Sequence, residues 1–262
     1  GSAVAVRVDN PDGQSAIGAQ SFAYLDKSKI APPPTLTAVN PKKGPTTGGT
    51  WGVLTAVGLQ SGAQLLFGVV PAVKTTVLTG GKTAVFVTAP SPVTATVDVI
   101  LLQPDGGFAT LQSAFAYTNP KDLGAKPAIA NIDPFSGPTK GGSPVVLTGA
   151  GLDDKGLVFF DGLPSPLVTK ATNGISATTP AHGLGTVDVV HTDTDGWSVM
   201  KSKAFSFVPP PSLTSLTPKA GPAAGGSTVT LTGSFFATGS KSSAFGSKTS
   251  RVMLCSHYVK KA

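Results

Sequence analysis

A single cysteine, Cys255, leaves no partner for an internal disulfide and too few thiolates for a Cys-rich zinc site. Either the compartment is reducing or the fold is stable without staples, so cysteine usage does not fix the location. Arginine is almost as scarce. Eighteen of the twenty basic residues are Lys, with only Arg7 and Arg251 as exceptions. A net charge of +7 would suit a polyanion. Base readout, however, relies most on the bidentate guanidinium, so a nucleic-acid partner is disfavoured and the lysines read as solubilising charge. No apolar run reaches the roughly 18 residues needed to span a bilayer, so no membrane insertion is expected. No charged segment followed by an apolar one marks a secretory leader. Aromatics make up 7% of the chain, against 32 Gly and 23 Pro and a surplus of Val, Thr and Ala. That balance disfavours long helices and suits short strands joined by tight turns, which predicts an all-β protein.

The Gly and Pro residues are not scattered. "GPTTGGT" at Gly44 returns as "GPTKGGS" at Gly137 and "GPAAGGS" at Gly221, at spacings of 93 and 84. A second phrase, "NPDGQSA", "QPDGGFA" and "DTDGWSV", places Asp-Gly pairs at residues 12, 105 and 195. Each pair precedes two aromatics: Phe22 and Tyr24, Phe115 and Tyr117, Phe205 and Phe207. The two phrases bracket a repeating unit, read as residues 35–120 and again as 128–210. Short Pro-rich separators such as "IAPPP" and "VPPPS" stiffen the junctions between units.

Within a unit the period is that of strands. "VDVIL" from Val97 and "VDVVH" from Val187 set one row of side chains toward a core and the other toward water. Asp-Gly, which tolerates φ > 0, turns one strand back on the next. The GPxxGG phrase reads as a structural corner carried by Gly44, Pro45, Gly48 and Gly49, by Gly137, Pro138, Gly141 and Gly142, and by Gly221, Pro222, Gly225 and Gly226. Pro sets φ near −65° and denies a ladder donor, and the Gly pair then lets the backbone reverse.

These residues make the chain resemble the IPT/TIG family of immunoglobulin-like domains. The resemblance rests on P-x-x-G-P-x-x-G-G-[ST] followed by V-x-L-T-G, as in Pro134 to Gly149 and Pro218 to Gly233, and on the closing P-D-G…F-x-Y. Departures are Trp51 and Ala56 in the first full unit and Phe207 in place of a closing Tyr. The resemblance implies two-sheet sandwiches of about seven strands. Residues 1–27 read as the closing half of a unit, and "GSAVAV" at Gly1 reads like "GTVDVV" at Gly185, as if the chain were entered in mid-domain. Residues 212–262 read as an opening half with an atypical tail. Two explanations stand side by side: the halves complete each other between subunits, or the chain is a segment of a longer tandem array.

Chemistry-bearing residues are few. His182, His191 and His257 occur in unrelated contexts and read as surface histidines, so no catalytic residues are assigned. Asp153, Asp154 and Asp161 form an acidic turn, and "DTDG" lacks the further oxygen ligands of a calcium loop, so no metal or other cofactor is expected. Trp51 and Trp197, each unique and near a turn, are the candidate ligand contacts. Lysines gathered at unit ends could face an acidic polysaccharide or a neighbouring repeat. The expectation is a non-enzymatic structural or adhesive rod on a cell surface, an appendage or a virion, with self or neighbouring repeats as partners. The alternative is a carbohydrate-binding segment of a larger secreted enzyme.

Overall fold

A computed structural model describes residues 3–23, 31–224 and 226–236. Strands β1 (Ala3–Asp9) and β2 (Ser15–Ala23) form an N-terminal hairpin. Sandwich I follows with β3 (Thr35–Asn40), β4 (Lys43–Pro45), β5 (Trp51–Val57), β6 (Gln64–Phe67), β7 (Val70–Pro71), β8 (Lys74–Val77), β9 (Thr83–Val87), β10 (Ala95–Leu102) and β11 (Phe108–Thr118). Sandwich II repeats the series as β12 (Ala128–Asp133), β13 (Ser136–Pro138), β14 (Pro144–Ala150), β15 (Leu157–Phe160), β16 (Leu163–Pro164), β17 (Val168–Ala171), β18 (Gly174–Thr178), β19 (Gly185–Thr192) and β20 (Ser198–Val208). A second hairpin, β21 (Ser212–Thr217) with β22 (Thr230–Ser234), ends the described chain.

Each sandwich has an opening sheet and a closing sheet. In sandwich I their orders are β3-β5-β9-β8 and β4-β11-β10-β6-β7, and sandwich II copies them as β12-β14-β18-β17 and β13-β20-β19-β15-β16. Alternation along the strands supplies one core row from each sheet. Val39, Leu54 and Phe86 of the opening sheet meet Phe67, Val99, Leu101, Phe115 and Tyr117 of the closing one, all buried. The seven or so strands expected become nine segments, because the GP phrase forms a strand of its own and a two-residue strand follows β6.

That strand explains the corner. Lys43–Pro45 leaves the opening sheet and pairs parallel with β11, as Ser136–Pro138 does with β20. Pro ends the pairing, and the Gly48 and Gly141 amides then donate back to the Pro45 and Pro138 carbonyls, both at 2.9 Å. Gly48 and Gly141 have φ of 72° and 70°, and a Cβ on either would run into the backbone of residues 89–90 or 180–181. Gly44 faces the Thr50 hydroxyl and the Phe115 ring with no room for a side chain. In the last copy Gly226 has φ of 83°, and Gly225 lies outside the described residues.

The F-x-Y spacing puts both aromatics of a pair on the same face, so both enter the core and not only one of each pair. Phe115 and Tyr117 meet edge to face at 5.2 Å, and Phe205 and Phe207 at 5.0 Å. Burial pushes the Tyr117 phenol up to about 12, and its hydroxyl donates to the Ala89 carbonyl at 3.1 Å. Phe207 cannot make that bond. In its sandwich the His182 ring stacks on Phe207 at 4.7 Å, while its Nε2 lies 3.3 Å from Asp161. His182 is thus half-buried as a lid on the core, and not a free surface histidine. Tyr24 and the Phe22 side chain lie outside the described residues.

A junction between the two sandwiches

Of the residues that depart from the repeat, Trp51 lies where the sandwiches meet, whereas Ala56 and Phe207 lie in the two cores. β5 turns Leu54 into the core of sandwich I, and its alternate residues Trp51 and Val53 face outward beside Val85 of β9. On sandwich II, β15 and β19 bury Val158, Phe160 and Val189 inside and turn Phe159 and Val190 outward. The two outer faces form one apolar cluster, with Phe159 fully buried and the Trp51 and Phe159 rings 5.7 Å apart. The Lys74 ammonium covers the Trp51 ring at 5.3 Å.

Polar contacts fix the register of this cluster. The Thr50 hydroxyl donates to the Gly196 carbonyl at 2.8 Å, and the Trp51 amide donates to Ser198 Oγ at 2.9 Å. Lys43 meets Asp195 at 2.6 Å. The Asp195 carboxylate also accepts the Gly124 amide of the connecting segment at 2.7 Å, and the Trp197 indole donates to the Gly124 carbonyl at 3.0 Å. Lys43 first, then Gly124, holds the Asp195 carboxyl below the usual carboxylate range. Gly196, at φ of 82°, lies so close to the Lys43 and Gly44 backbone that a Cβ would overlap it. The DG turn is therefore a hairpin turn that also locks one sandwich to the next.

Part of this lock recurs one unit earlier. Asp105, which occupies the place of Asp195, accepts the Gln60 side-chain amide at 2.6 Å and the Ala31 amide at 3.3 Å. Gln60 is the main cause, and Ala31 a lesser one, of a lowered Asp105 pKa. Ala31 and Gly124 are each the incoming connection, so both junctions clamp the linker backbone on the Asp of the DG turn.

The candidate ligand contacts therefore sit at the junction. Trp51 is half-buried between the sandwiches, and Trp197 is half-buried over the connecting segment with Lys126 at 5.7 Å from its ring. Several of the lysines gathered at unit ends make specific contacts here, among them Lys43 and Lys126. The acidic turn is tied internally: Asp153 accepts the Lys155 amide at 2.9 Å and the Thr194 hydroxyl at 2.7 Å. Among the described residues no three His, Cys, Asp or Glu side chains are grouped so as to hold a metal.

His191, expected at the surface, is fully buried. It takes the core position that Leu101 fills in sandwich I, because the VDVVH strand turns its last residue inward. Its Nε2 accepts the Asp153 amide at 3.2 Å, and its Nδ1 is buried with no hydrogen-bond partner among the described residues. Desolvation lowers its pKa to about 4, against smaller opposing contributions from the Leu157 backbone and Asp153. A depressed histidine pKa means that the unfolded chain binds the proton first as pH falls. Stability from this group is therefore complete above about pH 6.5 and is lost toward pH 4, by roughly 3 kcal/mol. Asp193, pushed up mainly by burial, works in the opposite sense at the acid end. His191→Leu is expected to flatten the pH profile of the unfolding free energy over that range. An unchanged acid-sensitive step would show that another group carries it.

Paired, largely antiparallel sheets repeated along one chain define a tandem immunoglobulin-like protein whose most developed feature is a junction between modules. The chain belongs to the IPT/TIG domain family, whose family model matches residues 127–207 and 211–257. No curated protein matches the sequence. Among solved structures the chain is similar to the plexin A4 extracellular region, at 18% identity and a TM-score of 0.31, covering 80% of this chain and 19% of that one. It is also similar to SGBP-B from a xyloglucan utilization locus of Bacteroides uniformis, at 17% identity and a TM-score of 0.26, covering 67% and 50%. A third is the Ig1-2 module of the Drosophila receptor tyrosine phosphatase DLAR, at 14% identity and a TM-score of 0.39, covering 67% and 97%. The chain spans about a fifth of the plexin chains.

Proposed function

We propose that this chain is a non-enzymatic structural segment of a rod or fibre displayed on a cell surface, an appendage or a virion. The observation that carries this is the junction. An apolar cluster, three polar bonds and a clamped linker fix one sandwich against the next, as a spacer that must hold its geometry requires.

The terminal hairpins extend the proposal to head-to-tail assembly. Val6 and Val8 of β1 are 44% and 59% exposed, whereas their counterparts Val99 and Leu101 are buried. Leu213 and Leu216 of β21 are 56% and 37% exposed, whereas Val39 and Ile132, the counterparts of Leu216, are buried. One hairpin matches the closing strands β10–β11 and the other the opening strands β3–β5. Joined between two copies, they would supply facing parts of both sheets of one sandwich and cover these side chains. Sedimentation velocity over a wide concentration range tests this. Growth into long species is the expected result, and a monomer at every concentration would remove self-assembly from the proposal.

The carbohydrate-binding alternative rests on the partly exposed Trp197 ring. Trp197→Ala is expected to leave any retention on polysaccharide unchanged and to make residues 119–127 more sensitive to protease, since it removes the bond to Gly124. Loss of retention with the fold intact would transfer the function to glycan binding.

A further inference from the structure

The chain enters each sandwich at one pole and leaves it at the other. Ala31, just before sandwich I, is held by Asp105 at the DG turn, and the 11-residue strand β11 runs from beside that turn to the exit at Thr118, about 35 Å away. Gly124 on Asp195 and the 11-residue β20 place the entry and exit of sandwich II in the same way. Between the poles the first and last segments lie side by side. β4 pairs parallel with β11 from Lys43–Ala116 to Pro45–Thr118. The ladder is bracketed by the Ala116 amide, donating to the Lys42 carbonyl at 2.8 Å, and the Thr46 amide, donating to the Thr118 carbonyl at 2.9 Å. Sandwich II repeats both brackets, from Ser206 to Phe135 at 2.8 Å and from Thr139 to Val208 at 3.2 Å.

This arrangement sets how tension along the chain is met. A pull on entry and exit drives β4 and β11 in opposite directions along their own axes, across the bonds that join them. The bonds then share the load and must fail together, whereas strands parted from one end release their bonds one at a time. The ladder of sandwich I is also shielded. Gly44 and Pro45 are buried, Gly44 lies against the Phe115 ring, and Gly196 of sandwich II is pressed onto the Lys43 and Gly44 backbone. Water therefore has little access to these bonds as they stretch, and the turn that locks the junction sits on the strand that takes the load.

We propose that each sandwich is a load-bearing element, in which the parallel pair of β4 with β11, and of β13 with β20, acts as a shear clamp against tension along the chain. The inference deepens the rod reading, since such a rod transmits force as well as setting distance. It uses no contact between copies, so it is tested on single chains and separately from head-to-tail assembly.

Single-molecule lifetimes at constant force, measured on the full chain in a Cys255→Ser background, test the proposal. Handles on Ala31→Cys and Lys121→Cys load sandwich I from pole to pole, and handles on Ala31→Cys and Phe108→Cys load it from one pole; all three residues are exposed. Rupture from pole to pole releases roughly 300 Å of chain. At equal force the sandwich should survive at least about tenfold longer from pole to pole than from one pole.

Thr46→Pro then isolates the clamp by removing one bracketing donor. Thr46 is the second residue of the turn closed by the Gly48 amide on the Pro45 carbonyl, a position that favours Pro, and its own carbonyl still accepts the Ser91 amide. Pro also restricts the unfolded chain, which offsets the lost bond at equilibrium but not under load. The variant should therefore melt like the parent, while its lifetime falls about two- to tenfold from pole to pole and stays unchanged from one pole. Equal parental lifetimes in the two geometries would overturn the clamp whether or not the variant folds. A loss in Thr46→Pro that is the same in both geometries would overturn it too. Either result would leave the rod standing as a spacer that bears no load.

Discussion

Gly141→Val is expected to destabilise sandwich II by at least about 3 kcal/mol, enough to lower its urea midpoint clearly or prevent folding. Two separate costs add at this residue. A β-branched side chain is strained at φ of 70°, and its Cβ would meet the backbone at Pro180 and lie 2.7 Å from the Ala181 amide nitrogen, neither of which can rotate away. The next residue isolates the second cost. Gly142 has φ of 83° but open space around it, so Gly142→Val carries the backbone strain alone and should cost about 1–2 kcal/mol. Gly48→Val should behave like Gly141→Val in sandwich I, where a Cβ would lie 2.6 Å from the Ala89 carbonyl carbon. Equal costs at 141 and 142 would mean that the approach of the two loops does not determine the corner.

Gly196→Val is expected to separate the sandwiches without unfolding either. The substitution puts a Cβ into the Lys43 and Gly44 backbone, displacing the DG turn and with it the Thr50, Trp51 and Asp195 contacts. Gly106→Val is the control, since it has the same turn conformation with open surroundings. Relative to that control, Gly196→Val should cost on the order of 3 kcal/mol of coupling, typical of losing a well-packed aromatic contact with its polar bonds. One cooperative melting transition should split into two. A single transition matching that of the control would show that the junction contributes little.

The sandwich was legible in the sequence because its signals are local and are written three times. Alternating strands, Asp-Gly turns and the GPxxGG corner each depend on neighbours close along the chain, and repetition separates them from chance. The junction was not legible, because each half of it reads as something else when taken alone. Trp51 stands near a turn with no partner in its own segment, and its contact, Phe159, lies 108 residues further on. One signal was available: Val158-Phe159-Phe160 and Val189-Val190-His191 are consecutive buried residues, a pattern of strands covered on both faces. His191 was missed for a related reason. A polar residue at the end of a strand suggests solvent, but the row that it continues runs through Val187 and Val189 into the core. Phe207, read as a departure from the closing Tyr, is compensated by His182 from a loop that the closing motif does not contain.

The fixed junction is the central claim, and residual dipolar couplings test it most directly. Backbone amide couplings measured separately for residues 35–118 and 128–208 in a weakly aligned sample each define an alignment tensor. The packed junction predicts a single tensor that fits both sandwiches in the orientation set by the Trp51–Phe159 contact. Two tensors of different magnitude, showing sandwiches that reorient independently, would contradict it.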